Sequence, residues 1–218
     1  VRGKTHWVQV RAKDRALNQQ TPASPQSVLI QASVHHFVVT PEGASPYIYV
    51  AGVPHTVEVR ALDSLNNLAA GFTGQVRFFT DTANAPEILG DGLPGDSAAT
   101  FVGGVASNVA GLNFRMAAPN RNLTVCKLEG GSPNCGISGV APITVTTAAV
   151  NRLLIMNSEQ SHRPGCINQN ANCSASDGMG RQGAPTEKTA GTAFNVRVMA
   201  VDQYYNIVTS SQPAISLT

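Results

Sequence analysis

One phrase, written three times, constrains what this chain can fold into more than any other feature. GKTHWVQVRAKDRALN (3–18), GVPHTVEVRALDSLNN (52–67) and GTAFNVRVMAVDQYYN (191–206) share one punctuation. Each has a Gly, a Val five residues later (Val8, Val57, Val196), alternating small apolar residues, an Asp (Asp14, Asp63, Asp202) and, four residues on, an Asn (Asn18, Asn67, Asn206). Recurrence of this kind marks one supersecondary unit used repeatedly. The phrase reads as a strand and a turn. In the second copy His55, Val57, Val59 and Ala61 alternate as the inward face with Thr56, Glu58 and Arg60. In the third, Phe194, Val196, Val198 and Ala200 point inward, opposite to Asn195, Arg197 and Met199. This period of two is that of a half-buried strand. The Asp and Asn then close it, because their short side chains hydrogen-bond nearby backbone amides. An apolar run follows each turn: VLIQA from Val28, VRFFT from Val76 and AISLT from Ala214.

With 20 Gly and 13 Pro and few segments at helical spacing, the composition agrees with short strands joined by turns. Around the second copy the strand set is complete. HFVVT (36–40) enters, the phrase follows, then QVRFFTD (75–81), AATFVGGVAS (98–107), GLNFRMA (111–117), NLTVCKLE (122–129) and PITVTT (142–147). Seven short strands over about 110 residues, separated by Gly, Pro, Asn and Asp, form the pattern of an immunoglobulin-like sandwich. The expected class is all-β, with tandem immunoglobulin-like β-sandwiches, one complete and two partial. The modules are 1–34 (partial), 35–149 (complete) and 150–218 (truncated). The first passes from VLIQAS almost directly to the next entry strand at His36; either it is a reduced module or residues are missing between Ser33 and His35. The third begins at RLLIM (152–156) and carries an insertion, about 157–185, rich in Asn, Ser, Gly and Gln, before the phrase. Because the chain opens at Val1 and stops at Thr218 within what reads as a strand, it is expected to be part of something longer.

On the residues TAGTAFNVRVMAVDQYYNIVTSS (189–211), VAGVPHTVEVRALDSLNNLAAGFTGQVRFF (50–79) and GISGVAPITVTTAAVNRLLIM (136–156), the chain resembles the bacterial Ig-like tandem repeats of large secreted and cell-surface proteins, the invasin-like and filamin-like sandwiches. The resemblance covers most of the chain outside the cysteine loops and the first module. It implies an extracellular, repetitive, non-catalytic role and carries no active-site residues onto this sequence. Such sandwiches serve as stalks, adhesins, filament units and accessory modules alike.

Charge and motif content exclude several alternatives. Fifteen basic and 13 acidic residues leave a net charge of +2 with no basic run, so nothing suits a phosphate backbone and no nucleic acid is expected. No stretch approaches the ~18 apolar residues of a membrane span. Four cysteines form two close pairs, Cys126 with Cys135 and Cys166 with Cys173, each bracketing a polar loop. Local disulfides are the simplest pairing and place the chain in an oxidising, extracellular compartment. No metalloprotease, nucleophile-elbow or P-loop motif occurs, so no catalytic residue is assigned. Asp91 and Asp96, in the Gly-rich string GDGLPGD (90–96) with Asp81 nearby, are weak Ca²⁺ candidates, and the recurring Asp and Asn of the phrase are a further set for which turn capping is the preferred reading. Two carboxylates without EF-hand spacing read better as solvated turn aspartates, and no cofactor is expected. His6 and His55 stand where the third copy has Phe194, a packing position. The candidate binding residues are His162 and Arg163 in the insertion and Tyr204 and Tyr205 in the third turn. The expected function is that of a structural or adhesive repeat module of a surface protein, stalk, surface layer or filament. Its partners would be neighbouring modules, identical subunits in a fibre, or cell-surface glycans. The alternative is an accessory, glycan-binding module of a secreted enzyme.

Overall fold

The computed structural model describes the backbone of Thr5–Val8 and Gln26–Leu29, and residues 33–80, 91–165, 180–184, 186–210, 214 and 216. All regular structure among these residues is β. No helix occurs among them, and none is long and apolar enough to cross a membrane. Strands β1 (Thr5–Val8) and β2 (Gln26–Leu29) pair antiparallel. Seven strands follow: β3 (His36–Pro41), β4 (Tyr47–Val50), β5 (Pro54–Leu62), β6 (Val76–Thr80), β7 (Val105–Asn113), β8 (Ala118–Glu129) and β9 (Ser132–Thr146). They form a three-stranded sheet, β3-β5-β7, and a four-stranded sheet, β4-β9-β8-β6. All neighbours are antiparallel except β4 and β9, which run parallel.

The two sheets face each other across one core, the arrangement of a β-sandwich, because each presents an alternating apolar face that only the other can cover. Phe37, Val39, Val57, Val59 and Ala61 come from the first sheet, and Val76, Phe78, Leu123, Val125, Ile143 and Val145 from the second. In β5 the expected alternation is present: Val57, Val59 and Ala61 are buried and Arg60 is exposed. Phe37, Phe72 and Phe101 meet edge to face or tilted, with ring centroids 4.8–6.1 Å apart. At the other end of the core Tyr49 lies between Phe114 and His55. Where β3 crosses β9 the backbones come so close that a Cβ on Gly139 would sit 2.3 Å from the Phe37 carbonyl oxygen, so only glycine fits.

Strand boundaries depart from the sequence pattern: β8 and β9 begin earlier than expected, at Ala118 and Ser132, and two strands are placed differently. AATFVGGVAS and GLNFRMA are not two strands. Residues 98–104 belong to no strand, only Val102 bridging to Val105, and β7 runs continuously through Gly111 into Asn113. Its pairing with β5 shifts register twice, which lets one strand carry what reads as two alternating runs. Strand β4 replaces the lost one. It is short, and of its residues only Tyr49 is buried, so no alternation announces it.

Beyond the sandwich, β10 (Arg152–Asn157) pairs antiparallel with β13 (Val196–Val201), and β11 (Ser161–His162) with β12 (Arg181–Gln182) closes the base of the insertion. Here the expected inward face is reversed. Met199 and Val201 are buried, with Leu154, Met156 and Tyr205, whereas Phe194 and Val196 are exposed, as are Leu153 and Ile155 on the paired strand. In the middle unit the positions matching Leu153, Ile155 and Val196 are Phe37, Val39 and Val57, which the opposing sheet covers. Among the described residues no such sheet lies over β10 and β13, so burial follows the side covered by Tyr205. The run AISLT lies largely outside the described residues.

Gly139→Ala is expected to cost about 1–3 kcal/mol of unfolding free energy, as overpacked cores do. Urea denaturation checks it, and an unchanged midpoint would contradict the close crossing of β3 and β9.

Candidate functional site

The most fully built site is where the turn of the third copy meets the end of the sandwich. The Asp202 carboxylate is buried. Its Oδ1 accepts the backbone amides of Tyr204 (2.8 Å) and Asn206 (3.0 Å), and the Asp202 amide donates to the Asn206 carbonyl (3.0 Å). This holds Tyr205 at a φ of 63°. The second copy repeats the geometry: Asp63 Oδ1 accepts from Leu65 (2.8 Å) and Asn67 (3.0 Å), and Asn66 has a φ of 62°. The Asp and Asn of the phrase thus cap their turns, as their chemistry predicts.

In the third copy the same side chains also reach across to the sandwich. Asn206 Oδ1 accepts the Ala117 amide and its Nδ2 donates to the Arg115 carbonyl, both at 2.8 Å. The Ala148 amide, just after β9, donates to Asp202 Oδ2 at 3.1 Å. Tyr204 packs against the sandwich core over Gly52, whose φ is 86° and where a Cβ would lie 2.1 Å from the Tyr204 ring. Gly52 is therefore the notch that admits the tyrosine. Gly52, residues 114–117 and the end of β9 belong to one end of the sandwich, tied together by Gly52 N donating to Phe114 O (2.7 Å) and Ala51 N to Thr146 O (2.9 Å).

That end is braced from within. Arg121, its side chain 2% exposed, pairs with Asp91, likewise 2% exposed, at 2.5 Å. Arg121 also donates to the Met116 carbonyl and lies over the Phe114 ring, while Asp91 accepts the Arg115 amide. A buried guanidinium is tolerated because its charge and donors are matched. The Ca²⁺ reading of Asp91 and Asp96 meets a different arrangement. Asp96 is held by Arg77, whose guanidinium keeps its carboxyl below the usual range, and the two aspartates serve separate ion pairs. Among the described residues no group of three or more His, Cys, Asp or Glu is placed to hold a metal.

The four expected binding residues come together around the turn. Tyr205 is 5% exposed, and its hydroxyl accepts from Arg152, whose guanidinium also covers the ring. His162 Nε2 lies 2.6 Å from the Tyr205 carbonyl oxygen. The Arg163 amide donates to the Gly180 carbonyl and the Gly165 amide to that of Tyr204. The insertion is thus anchored on the turn. Tyr204 is half-buried and Tyr205 buried, so neither is the open aromatic platform that glycan stacking needs. An open groove of about 430 Å³ remains beside them, lined by Met156, Gln160, His162, Asn195 and Arg197.

Cys126 and Cys135 are disulfide-bonded across the β8–β9 hairpin, with Cα atoms 4.7 Å apart. Cys166 and Cys173 lie outside the described residues. The sequence pattern singled out the turn tyrosines but missed Gly52, Arg115, Ala117 and Ala148. Three of these act through backbone groups alone, and Gly52 carried its only sign in the Gly that opens every copy. No protein-family model matches this chain, and no curated protein is significantly similar to it.

Asp91→Ala strands the buried Arg121 charge and is expected to cost about 3–5 kcal/mol by denaturant unfolding; a loss within error of zero would contradict the brace. A second prediction concerns pH. Burial lowers the His55 imidazole from its ordinary 6.5, opposed by the Glu42 carboxylate. The unfolded chain then takes up the proton first, so this contribution is present above about pH 6.5 and is lost as pH falls toward the folded value. His55→Phe, which installs the residue of the third copy, is expected to flatten the stability profile between pH 7 and 5, read by thermal melts. A profile unchanged by the substitution would assign the slope to other groups.

Proposed function

We propose that this chain is a non-catalytic piece of a tandem immunoglobulin-like repeat protein of the extracellular surface, in which sandwich modules are joined rigidly end to end as a stalk, surface layer or filament. The observation that carries this reading is the joint: Tyr204 in the Gly52 notch, with Asn206 and Asp202 bonded to the backbone of residues 115, 117 and 148. The linker backbone is itself a ligand of the joint, so the connection is a built contact in place of a free tether. The repeated phrase supports tandem use. The strand arrangement supports the immunoglobulin-like assignment: β3, β5 and β7 take the places of strands A, B and E, and β6, β8 and β9 those of C, F and G. The Cys126–Cys135 disulfide fits an oxidising compartment. The proposed modules are 35–149, complete, with parts of its neighbours in 1–34 and 150–218.

Solution scattering of the chain and of Tyr204→Ser/Asn206→Ala tests the joint. The parent is expected to fit one rigid arrangement of its units, and the variant to give a broader distance distribution with both cores still folded. A parent whose units sample many orientations would contradict a rigid rod, and saturable binding to a glycan array would favour the accessory-module alternative.

A further inference from the structure

The middle sandwich has four edge strands, and three of them are guarded against a further strand. Sheets blunt their edges with charge, proline, bulges or close cover. β3 lies against β9 at Gly139 and ends at Pro41. β7 is bulged against β5, with Asn108 at a φ of 53°, and Gly92 bridges to its end at Asn113. β6 carries Arg77, bonded to Asp96. β4 has no such device. Tyr47–Val50 contains no charge, Pro or Gly, pairs with β9 in unbroken register, and leaves Ile48 59% and Val50 43% exposed. Among the described residues no strand pairs with its other edge. We infer that β4 is a pairing edge whose occupant is the β4 of a second copy of this chain, run antiparallel about a two-fold axis at Ile48. The inference concerns the middle sandwich alone and does not depend on the joint proposed above.

The backbone of β4 is set for this partner. Ala51 N donates to Thr146 O (2.9 Å) and Thr146 Oγ1 to the Tyr49 carbonyl (3.0 Å), so Tyr49 and Ala51 turn their backbone groups toward β9. In an extended strand the residues between them turn theirs away. The Ile48 amide and carbonyl therefore face outward, and two such residues placed opposite each other exchange both hydrogen bonds. The next bonded pair sets Val50 of one copy opposite Pro46 of the other. Here the Val50 amide can donate to the Pro46 carbonyl. The Val50 carbonyl already accepts from Val53 (3.2 Å), and it meets the one residue that has no amide to offer.

The side chains agree with the same register. Ile48 would lie beside Ile48 of the second copy, with Val50 and Pro46, both exposed, on the same face of the joined sheet. On that face β9 adds Val140 and Pro142, also exposed. Apolar cross-strand neighbours of this kind stabilise pairing, and the strand carries no charge to repel its own copy or to select a different sequence. A two-fold contact closes on itself, so it would join two chains side by side in opposite directions. The contact is small, and in a chain of several units it would gain strength by repetition.

Sedimentation equilibrium of the whole chain from micromolar to millimolar concentration tests this, and a monomer–dimer equilibrium is expected. Ile48→Lys sets two ammonium groups opposite each other at the axis and is expected to weaken the dimer at least about tenfold, a change of ~1.4 kcal/mol. Amide exchange of the unsubstituted chain, followed by NMR, gives a reading that no folding defect can mimic. The Ile48 amide is expected to slow at least about fivefold from the dilute to the concentrated sample. A chain monomeric throughout, or an Ile48 amide that exchanges equally at both concentrations, would overturn the inference. So would a dimer unmoved by Ile48→Lys and lost in Val196→Lys, which would put the contact on the exposed face of β13. None of these results bears on the joint, which scattering reads separately.

Discussion

A buried carboxylate organises everything that is distinctive here. An ionised Asp taken out of water is costly unless donors replace the lost solvent. Asp202 meets four: the amides of Tyr204, Asn206 and Ala148 and the side chain of Asn206. Three of these come from its own turn and one from the linker leaving β9. The interaction that satisfies the charge therefore also fixes the turn and ties it to the preceding unit. A turn stabilised only by its own residues would leave the two bodies independent. Bringing Ala148 into the carboxylate's shell makes the fold of the turn and the attachment of the linker one event.

The sandwich end that receives this turn is rigid for a related reason. Residues 114–117 would otherwise be an ordinary connection between β7 and β8. The Asp91–Arg121 pair, buried against Phe114, holds their carbonyl and amide groups in fixed directions, so Asn206 meets a prepared donor and acceptor. Preorganisation on both sides lowers the entropy lost on docking and lets a small contact hold two bodies in register.

Much of the β architecture was legible in the sequence because period-two burial is a strong signal where one face meets a core. Val57, Val59 and Ala61 show it, as do Leu123 and Val125. It misled in β13, where Val196 and Val198 read as core but only Met199 and Val201 are buried. Alternation says that a strand has two unlike faces; which one is buried depends on what packs above it. Strand β4 was invisible for the opposite reason, since one buried tyrosine makes no period. The site was partly legible. Asp and Asn recur in every copy and cap the turns of the second and third as read, yet their second role in the third copy, reaching the sandwich, depends on backbone groups of residues 115, 117 and 148 that no side-chain pattern encodes. Tyr204 looked like a surface aromatic because the notch that takes it is formed by the absence of a side chain at Gly52, and Tyr205 because Gly180 makes room for its ring in the same way.

The rigidity of the joint can be measured most directly by residual dipolar couplings from residues 36–146 and from residues 152–165 and 180–208 in one weakly aligned sample. If Asp202, Tyr204 and Asn206 lock the units together, both sets fit a single alignment tensor of the same magnitude and orientation. Two tensors of different magnitude would show the units reorienting independently and would contradict a fixed end-to-end joint.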